Sequence, residues 1–283
     1  MNATEKRNKL RAVLAGPRIV SPATVFDALS ARVAESVGYE FGILSGSVCA
    51  ATVLAAPDLA LQTLTEFADQ VRCITRVSNI AVFTDADQGY GNAYNVRRTV
   101  EELEHAGLAG LAIEDLVMPS RFGAEADELI SVEEAKGKLR AALDARQDPS
   151  LVIVGRTAAL KVDPIEKVVQ RVRGFSETGI DGIFLSGLEK VSDLDAVRAA
   201  TKLPIIVGSA PIKREELAAR GVRFCLQGHG VIPAVVKAMR EVFSHLHGGG
   251  APADLKAKGA PAEEMERLLG KANYEKWRRE YLM

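Results

Sequence analysis

Short apolar, β-branched runs alternate with longer amphipathic stretches along this chain. Eight runs read as strands: 19–25 (IVSPATV), 41–46 (FGILSG), 80–85 (IAVFTD), 108–114 (LAGLAIE), 151–157 (LVIVGRT), 180–186 (IDGIFLS), 203–208 (LPIIVG) and 222–227 (VRFCLQ). They are largely continuous rather than alternating, as expected of parallel strands covered on both faces. Helical periodicity fills the intervals. Asp27 is a candidate N-cap for 27–37, and 94–106 sets Val96, Val100 and Leu103 on one face before stopping at Gly107. Ser131 with Glu134 three positions on forms a capping-box pattern, Asp163-Pro164 opens another helix with proline in its first turn, and 231–246 is the last helix of the series. Eight strand–helix units predict an α/β fold, a (β/α)8 TIM barrel, with one extra helix before the first strand. A doubly wound open sheet is the alternative, weakened because no GxGxxG follows the first strand. The barrel is expected over 1–247. His247 and the glycines at 248–250 read as a hinge into a helical tail, 248–283, whose Leu268, Leu269, Tyr274, Trp277 and Tyr281 need cover from elsewhere, such as a neighbouring subunit.

Composition narrows the function. With 283 residues and 47% hydrophobic content there is ample material for a core, and a formal net charge of −1 offers no basic field for nucleic acid. No apolar run reaches membrane-spanning length, and the charged start MNATEKRNKLRAVLAG lacks a signal-peptide core. Cys49, Cys73 and Cys225 lie far apart and form no CxxC pair, which fits a reduced, cytoplasmic setting and argues against a Cys/His zinc site. Of four histidines only His229 falls at a strand end.

Chemistry in such a barrel belongs at the C-terminal ends of the strands. There the sequence puts Ser45-Gly46-Ser47, the pair Asp85 and Asp87, Glu114-Asp115, Arg156-Thr157 and Gln227-Gly228-His229, with Asp58 in the loop after the second strand. Asp85 and Asp87, two apart, would share one side of an extended strand and repel each other, so something positive must face them. Asp58, Asp85, Asp87 and Glu114 make an oxygen-rich acidic pocket suited to Mg2+ or Mn2+. Arg156 requires an anion, either an internal carboxylate or that of a substrate. Each residue also has a plainer reading: Asp58 as a helix cap, His229 as a structural histidine.

The stretch FTDADQGYGNAYNVRRTVEELEHAGLAGLAIED, with SPATVFDALSARVAESVGYEFGILSGSVCA and VGRTAA, resembles the phosphoenolpyruvate mutase/isocitrate lyase superfamily over nearly the whole chain. The resemblance implies Mg2+-dependent barrels that act on α-keto or α-hydroxy carboxylates beside a metal-bound pyruvate enolate. It also implies homotetramers, dimers of dimers, with a C-terminal helix swapped between subunits. By resemblance, Asp85 is the direct metal ligand, and Asp58, Asp87 and Glu114 hold metal-bound waters. Ser47 and the backbone at Gly46, with Arg156, bind the substrate carboxylate.

Isocitrate and methylisocitrate lyases carry an acid/base cysteine after the fourth strand; here the segment EDLVMPSRFGAEADELI has none. The lysine and asparagine of the mutase gating loop are absent between Met118 and Leu129 as well. Pro119 to Gly123 (PxxFG), GSV after the second strand and GH after the eighth resemble the bacterial oxaloacetate decarboxylase branch, in which His229 matches an active-site histidine. The implied reaction is Mg2+-dependent decarboxylation of oxaloacetate, an α-keto dicarboxylate, to pyruvate and CO2, with Asp85, Arg156 and His229 as the catalytic set. Gln88, Ala158 and the turn VGSAP at 207–211 depart from that branch and are expected to border the pocket. The alternatives are a C–C lyase for a substituted malate or methylisocitrate-like acid, a catalytically silent dicarboxylate-binding homologue and, more weakly, a phosphate-handling barrel.

Overall fold

The computed structural model describes residues 1–124 and 126–283; Glu125, inside the segment after the fourth strand, lies outside the described residues. Eight parallel strands follow one another in sequence order: β1 (Ala23–Thr24), β2 (Phe41–Leu44), β3 (Ala81–Asp85), β4 (Gly110–Glu114), β5 (Val152–Thr157), β6 (Gly182–Leu185), β7 (Ile205–Val207) and β8 (Val222–Cys225). The ring closes through Val20, which bridges Phe224: Val20 N–H donates to the Arg223 carbonyl at 2.9 Å, and the Val20 carbonyl accepts from Cys225 N–H at 2.9 Å. The expected first strand, 19–25, is therefore divided. Val20 bonds to β8 and Ala23–Thr24 bond to β2, because Pro22 between them has no N–H to continue a ladder.

Alternation along the strands produces two cores. Phe41 and Ile43, Ala81 and Phe83, Val152 and Val154, with Phe184, Ile206 and Phe224, fill the barrel. Leu44, Val82, Leu111 and Ile153 face outward and meet the helices. The helix Ala3–Ala15 closes the N-terminal end, where Leu10, Val13 and Leu14 join the inner cluster. Phe224 contacts Phe41 and Phe83 edge-on, at centroid distances of 5.7 and 6.0 Å.

The outer helices start where side chains satisfy their first N–H groups. Asp27 caps Ala28–Ser36, Asn92 caps Ala93–His105 and Ser131 caps Val132–Ala145. Ser131 accepts from Glu134 N–H at 3.1 Å, so half of the expected capping box forms. Pro164 takes the N-cap position of Ile165–Ser176 rather than a place in its first turn.

The helix after β8, Val231–His247, is different. None of its residues is buried, and Val231, Val236, Met239, Phe243 and Leu246 are exposed. A cleft of about 620 Å3 lies beside its first turn, walled by apolar residues of the first outer helix and its C-cap, including Leu29, Val33 and Val37. The tail returns to the same helix: Leu268 is buried and its carbonyl accepts from Arg32 Nη1 at 2.6 Å. Tyr274 and Trp277 of the last helix, Lys271–Tyr281, meet edge-on at 5.1 Å and stay exposed. Among the described residues no helix is long and apolar enough to cross a membrane.

Because Leu10 is fully buried in the plug, Leu10→Ala should destabilise the fold by about 2–5 kcal/mol through lost transfer energy and a residual cavity, read from urea unfolding. A loss well under 1 kcal/mol would mean that the N-terminal helix is not part of the core.

Candidate active site

The C-terminal ends of the strands gather the polar side chains. A cavity of about 240 Å3 there is lined by Ser45, Asp85, Arg156, Lys161, Ser186 and His229, with Ile43, Phe184 and Leu226 as its apolar wall. Asp85 ends β3 and is buried, and one of its oxygens pairs with Arg156 Nη1. The other, Oδ1, has no hydrogen-bond partner among the described residues. Arg156 Nε donates to Ser186 Oγ at 3.0 Å and lies 3.2 Å from Glu114 Oε1. With that N–H spent on Ser186, Glu114 Oε1 is a second buried oxygen without a hydrogen bond. The guanidinium packs over the Phe184 ring, 5.1 Å from its centroid. Burial lowers the Arg156 pKa to about 10, opposed by the charge of Asp58.

Asp87 reaches the site by a different route from the one expected. The strand ends at Asp85, and Asp87 sits in a left-handed turn at φ 47°, so strand alternation does not align the two acids. Asp87 Oδ2 accepts from Gln62 Nε2 at 3.3 Å. Two close approaches hold this turn: a Cβ at Gly46 would overlap Asp87 Oδ1, and one at Gly89 would overlap Val96. Burial first, then the charge of Asp58, raises the Asp87 carboxyl to about 7. Burial, then Asp115 and Asp87, raises Glu114 to about 8, with Lys161 opposing. Asp58 is exposed, yet its charge acts on Asp87, Glu114, Arg156 and His229 alike.

Among the described residues no three His, Cys, Asp or Glu side chains cluster closely enough to ligate an ion directly. The donors nevertheless fit Mg2+. They are all carboxylate oxygens, two of them buried and unpartnered, and Mg2+ keeps several waters while using one or two direct carboxylates.

The hydroxyl side of the site differs from the expected one. Ser45, placed at the rim by the sequence but given no role there, lines the cavity, while Ser47 stands one hydrogen bond behind it, Oγ to Oγ 2.8 Å. Lys161, also missed, is a second cation on the cavity wall and belongs to the short helix Ala159–Val162. Its position after Arg-Thr was the one available signal. Of the three departures from the branch pattern, only the turn borders the cavity, through Gly208 and Ser209. Gln88 instead donates to the Met118 carbonyl at 2.8 Å, anchoring the following segment, and Ala158 N–H donates to Asp115 Oδ1 at 3.2 Å.

A closed parallel barrel with an acid-rich site for a small anion at its C-terminal rim defines the class. The sequence model of the phosphoenolpyruvate phosphomutase family matches residues 10–247, and the chain belongs to that family. It is 46% identical over 286 aligned positions to an oxaloacetate decarboxylase of Bradyrhizobium sp. (strain BTAi1), covering 100% of this chain and 99% of the relative. A crystal structure of phosphonopyruvate hydrolase in complex with oxalate and Mg2+ superposes with a TM-score of 0.86 at 27% identity, with both chains covered in full. A 2,3-dimethylmalate lyase described as a member of the PEP mutase/isocitrate lyase superfamily superposes with a TM-score of 0.85 at 28% identity, covering 97% of this chain and 98% of the other.

The raised carboxyls have a thermodynamic consequence. A folded state that raises an acid's pKa holds extra protons, so this contribution to stability is full below the ordinary carboxylate range, about 4, and is lost as pH rises through the folded values. With those values at about 7 and about 8, the thermal midpoint in EDTA should fall as pH rises from about 5 to about 8. Glu114→Gln should flatten that fall; identical slopes for the two proteins would remove Glu114 as its source.

Proposed function

We propose that this enzyme decarboxylates oxaloacetate to pyruvate and CO2 with Mg2+ as cofactor, Mn2+ being a substitute of similar ligand preference. The observation that carries the reading is the pairing of Arg156 with Asp85, whose second oxygen is buried and unpartnered on the cavity wall. Full-length likeness to an oxaloacetate decarboxylase supports the choice of substrate. Among the described residues no thiol lines the cavity, so the lyase alternative has no acid/base cysteine there: Cys49 is buried, its pKa pushed up to about 12 chiefly by that burial, and Cys225 Sγ lies 3.9 Å from the Gly208 carbonyl.

In this reading Arg156 and the backbone N–H groups at Gly46 and Ser47 hold the C1 carboxylate, beside Ser45 and His229. Lys161 recognises the distal carboxylate. Asp85 would hold the metal directly and Asp58, Asp87 and Glu114 would hold it through water, and the ion would supply Lewis-acid stabilisation of negative charge at the C2 oxygen. The C3–C4 bond breaks and its electron pair forms the C2–C3 double bond of the pyruvate enolate as CO2 departs. C3 then takes a proton. The charge on the distal carboxylate disappears while that on the C2 oxygen grows, so contacts near C2 favour the transition state and Lys161 mainly favours binding. The apolar wall of Ile43, Phe184 and Leu226 keeps water sparse around the departing CO2.

The assembly is a homotetramer, a dimer of dimers, in which Val231–His247 of one copy covers the cleft beside Leu29, Val33 and Val37 of another. The barrel, 1–247, and the tail, 248–283, are its two parts. Three free thiols suit a reducing compartment such as the cytoplasm.

Purified protein should release pyruvate and CO2 from oxaloacetate well above the spontaneous background, and EDTA or Asp85→Ala should abolish the excess. Background release with Mg2+ present, alongside cleavage of a substituted malate, would overturn the decarboxylase reading. Light scattering should give four times the 30.3 kDa chain mass, and Phe243→Glu should lower it; a monomeric wild type would refute the exchange.

A further inference from the structure

His229 has different neighbours at its two ring nitrogens. Nδ1 lies 3.0 Å from Thr24 Oγ1, and Nε2 lies 3.1 Å from Ser45 Oγ. Heavy-atom positions alone do not say which nitrogen is protonated, but the hydroxyl protons can be counted. Thr24 has one. Its Oγ1 also lies 3.1 Å from the Gly228 carbonyl, which can only accept. With the Thr24 proton committed there, Oγ1 meets Nδ1 as an acceptor, so Nδ1 must donate. Nε2 of the neutral ring then carries the lone pair and receives the Ser45 hydroxyl proton. Ser45 Oγ in turn accepts from Ser47 Oγ at 2.8 Å and from Val48 N–H at 3.3 Å. Every hydroxyl from Ser47 through Ser45 and His229 to Thr24 thereby donates once, ending on Gly228. The opposite assignment turns the lone pairs of Thr24 towards the Gly228 carbonyl and leaves two acceptors facing each other.

We propose that Thr24 is a positioning residue that fixes His229 as the Nδ1–H tautomer and so presents Nε2 as a proton acceptor, through Ser45, on the cavity wall. Burial, partly offset by the Asp58 charge, also moves the ring pKa below its ordinary value and keeps it neutral near pH 7. A neutral ring with no proton at Nε2 orients Ser45 and takes up protons; it does not donate one to C3. The kinetic part of this inference rests on the decarboxylase reading, whereas the tautomer does not.

The chain has four histidines, so solid-state NMR of full-length protein labelled with 15N-histidine at about pH 8 can resolve the ring, with His229→Asn assigning its signals. The wild type and Thr24→Ser should show His229 protonated at Nδ1. Thr24→Val should shift the proton to Nε2 or mix the two forms. It should also lower kcat on the order of 10- to 100-fold, the range seen when the orienting partner of a metal-bound histidine is removed, with Thr24→Ser restoring it. A wild-type ring protonated at Nε2 would overturn the proposal whether or not Thr24→Val folds, as would an unchanged tautomer in a folded Thr24→Val. Absence of oxaloacetate turnover in the wild type would count against the decarboxylase reading alone, and the spectrum would still decide the tautomer.

Discussion

Buried negative charge at the ends of β3 and β4 is the constraint around which the rest of the site is arranged. Asp85, Asp87 and Glu114 are each nearly inaccessible to water, and Asp58 adds its field from the loop above. Like charges packed in low dielectric cost free energy unless they are protonated or matched by a cation. The protein uses both means. Two of the carboxyls shift towards neutrality, and Arg156 is drawn from β5 onto Asp85 and Glu114. A divalent ion would relieve the same repulsion more completely, and Arg156 would then be available to a substrate carboxylate. Cofactor binding and substrate binding are in this way two settings of one electrostatic balance.

The barrel makes such an arrangement tolerable. The residues below the acids on each strand are apolar and close-packed, from Phe83 and Val154 down to the Leu10 plug. The backbone at the rim therefore cannot relax to separate the charges. Gly46 has no side chain where Asp87 needs the space, and Gln62 holds the outer oxygen of Asp87. On the opposite wall Thr24, Ser45 and Ser47 surround His229 with hydroxyls instead of carboxylates. The site thus has an acidic half suited to a cation and a neutral half suited to handling a proton.

Much of this was legible in the sequence, for physical reasons. Strands buried on both faces leave continuous apolar runs, so all eight stood out, and the caps at Asp27 and Ser131 followed from their unsatisfied N–H groups. Asp85, Glu114 and Arg156 were legible because each stands at the end of such a run, and His229 because it follows one closely. What depends on turns was not. The left-handed conformation of Asp87 replaced the strand alternation expected for it. The choice of Ser45 over Ser47 as the cavity hydroxyl depends on the entry to a four-residue helix. Gln62 comes from a loop without periodicity, and Lys161 from a helix too short to leave a pattern. Thr24 carries its signal only once β8 brings Gly228 and His229 beside it.

In the proposed function the acidic rim holds a divalent cation through Asp85. Electron paramagnetic resonance of Mn2+ added to the metal-free protein tests it without reference to any substrate. One bound Mn2+ per chain is expected, displaced by Mg2+ and lost in a folded Asp85→Ala variant. Failure of the wild type to bind Mn2+, or undiminished binding by Asp85→Ala, would contradict it.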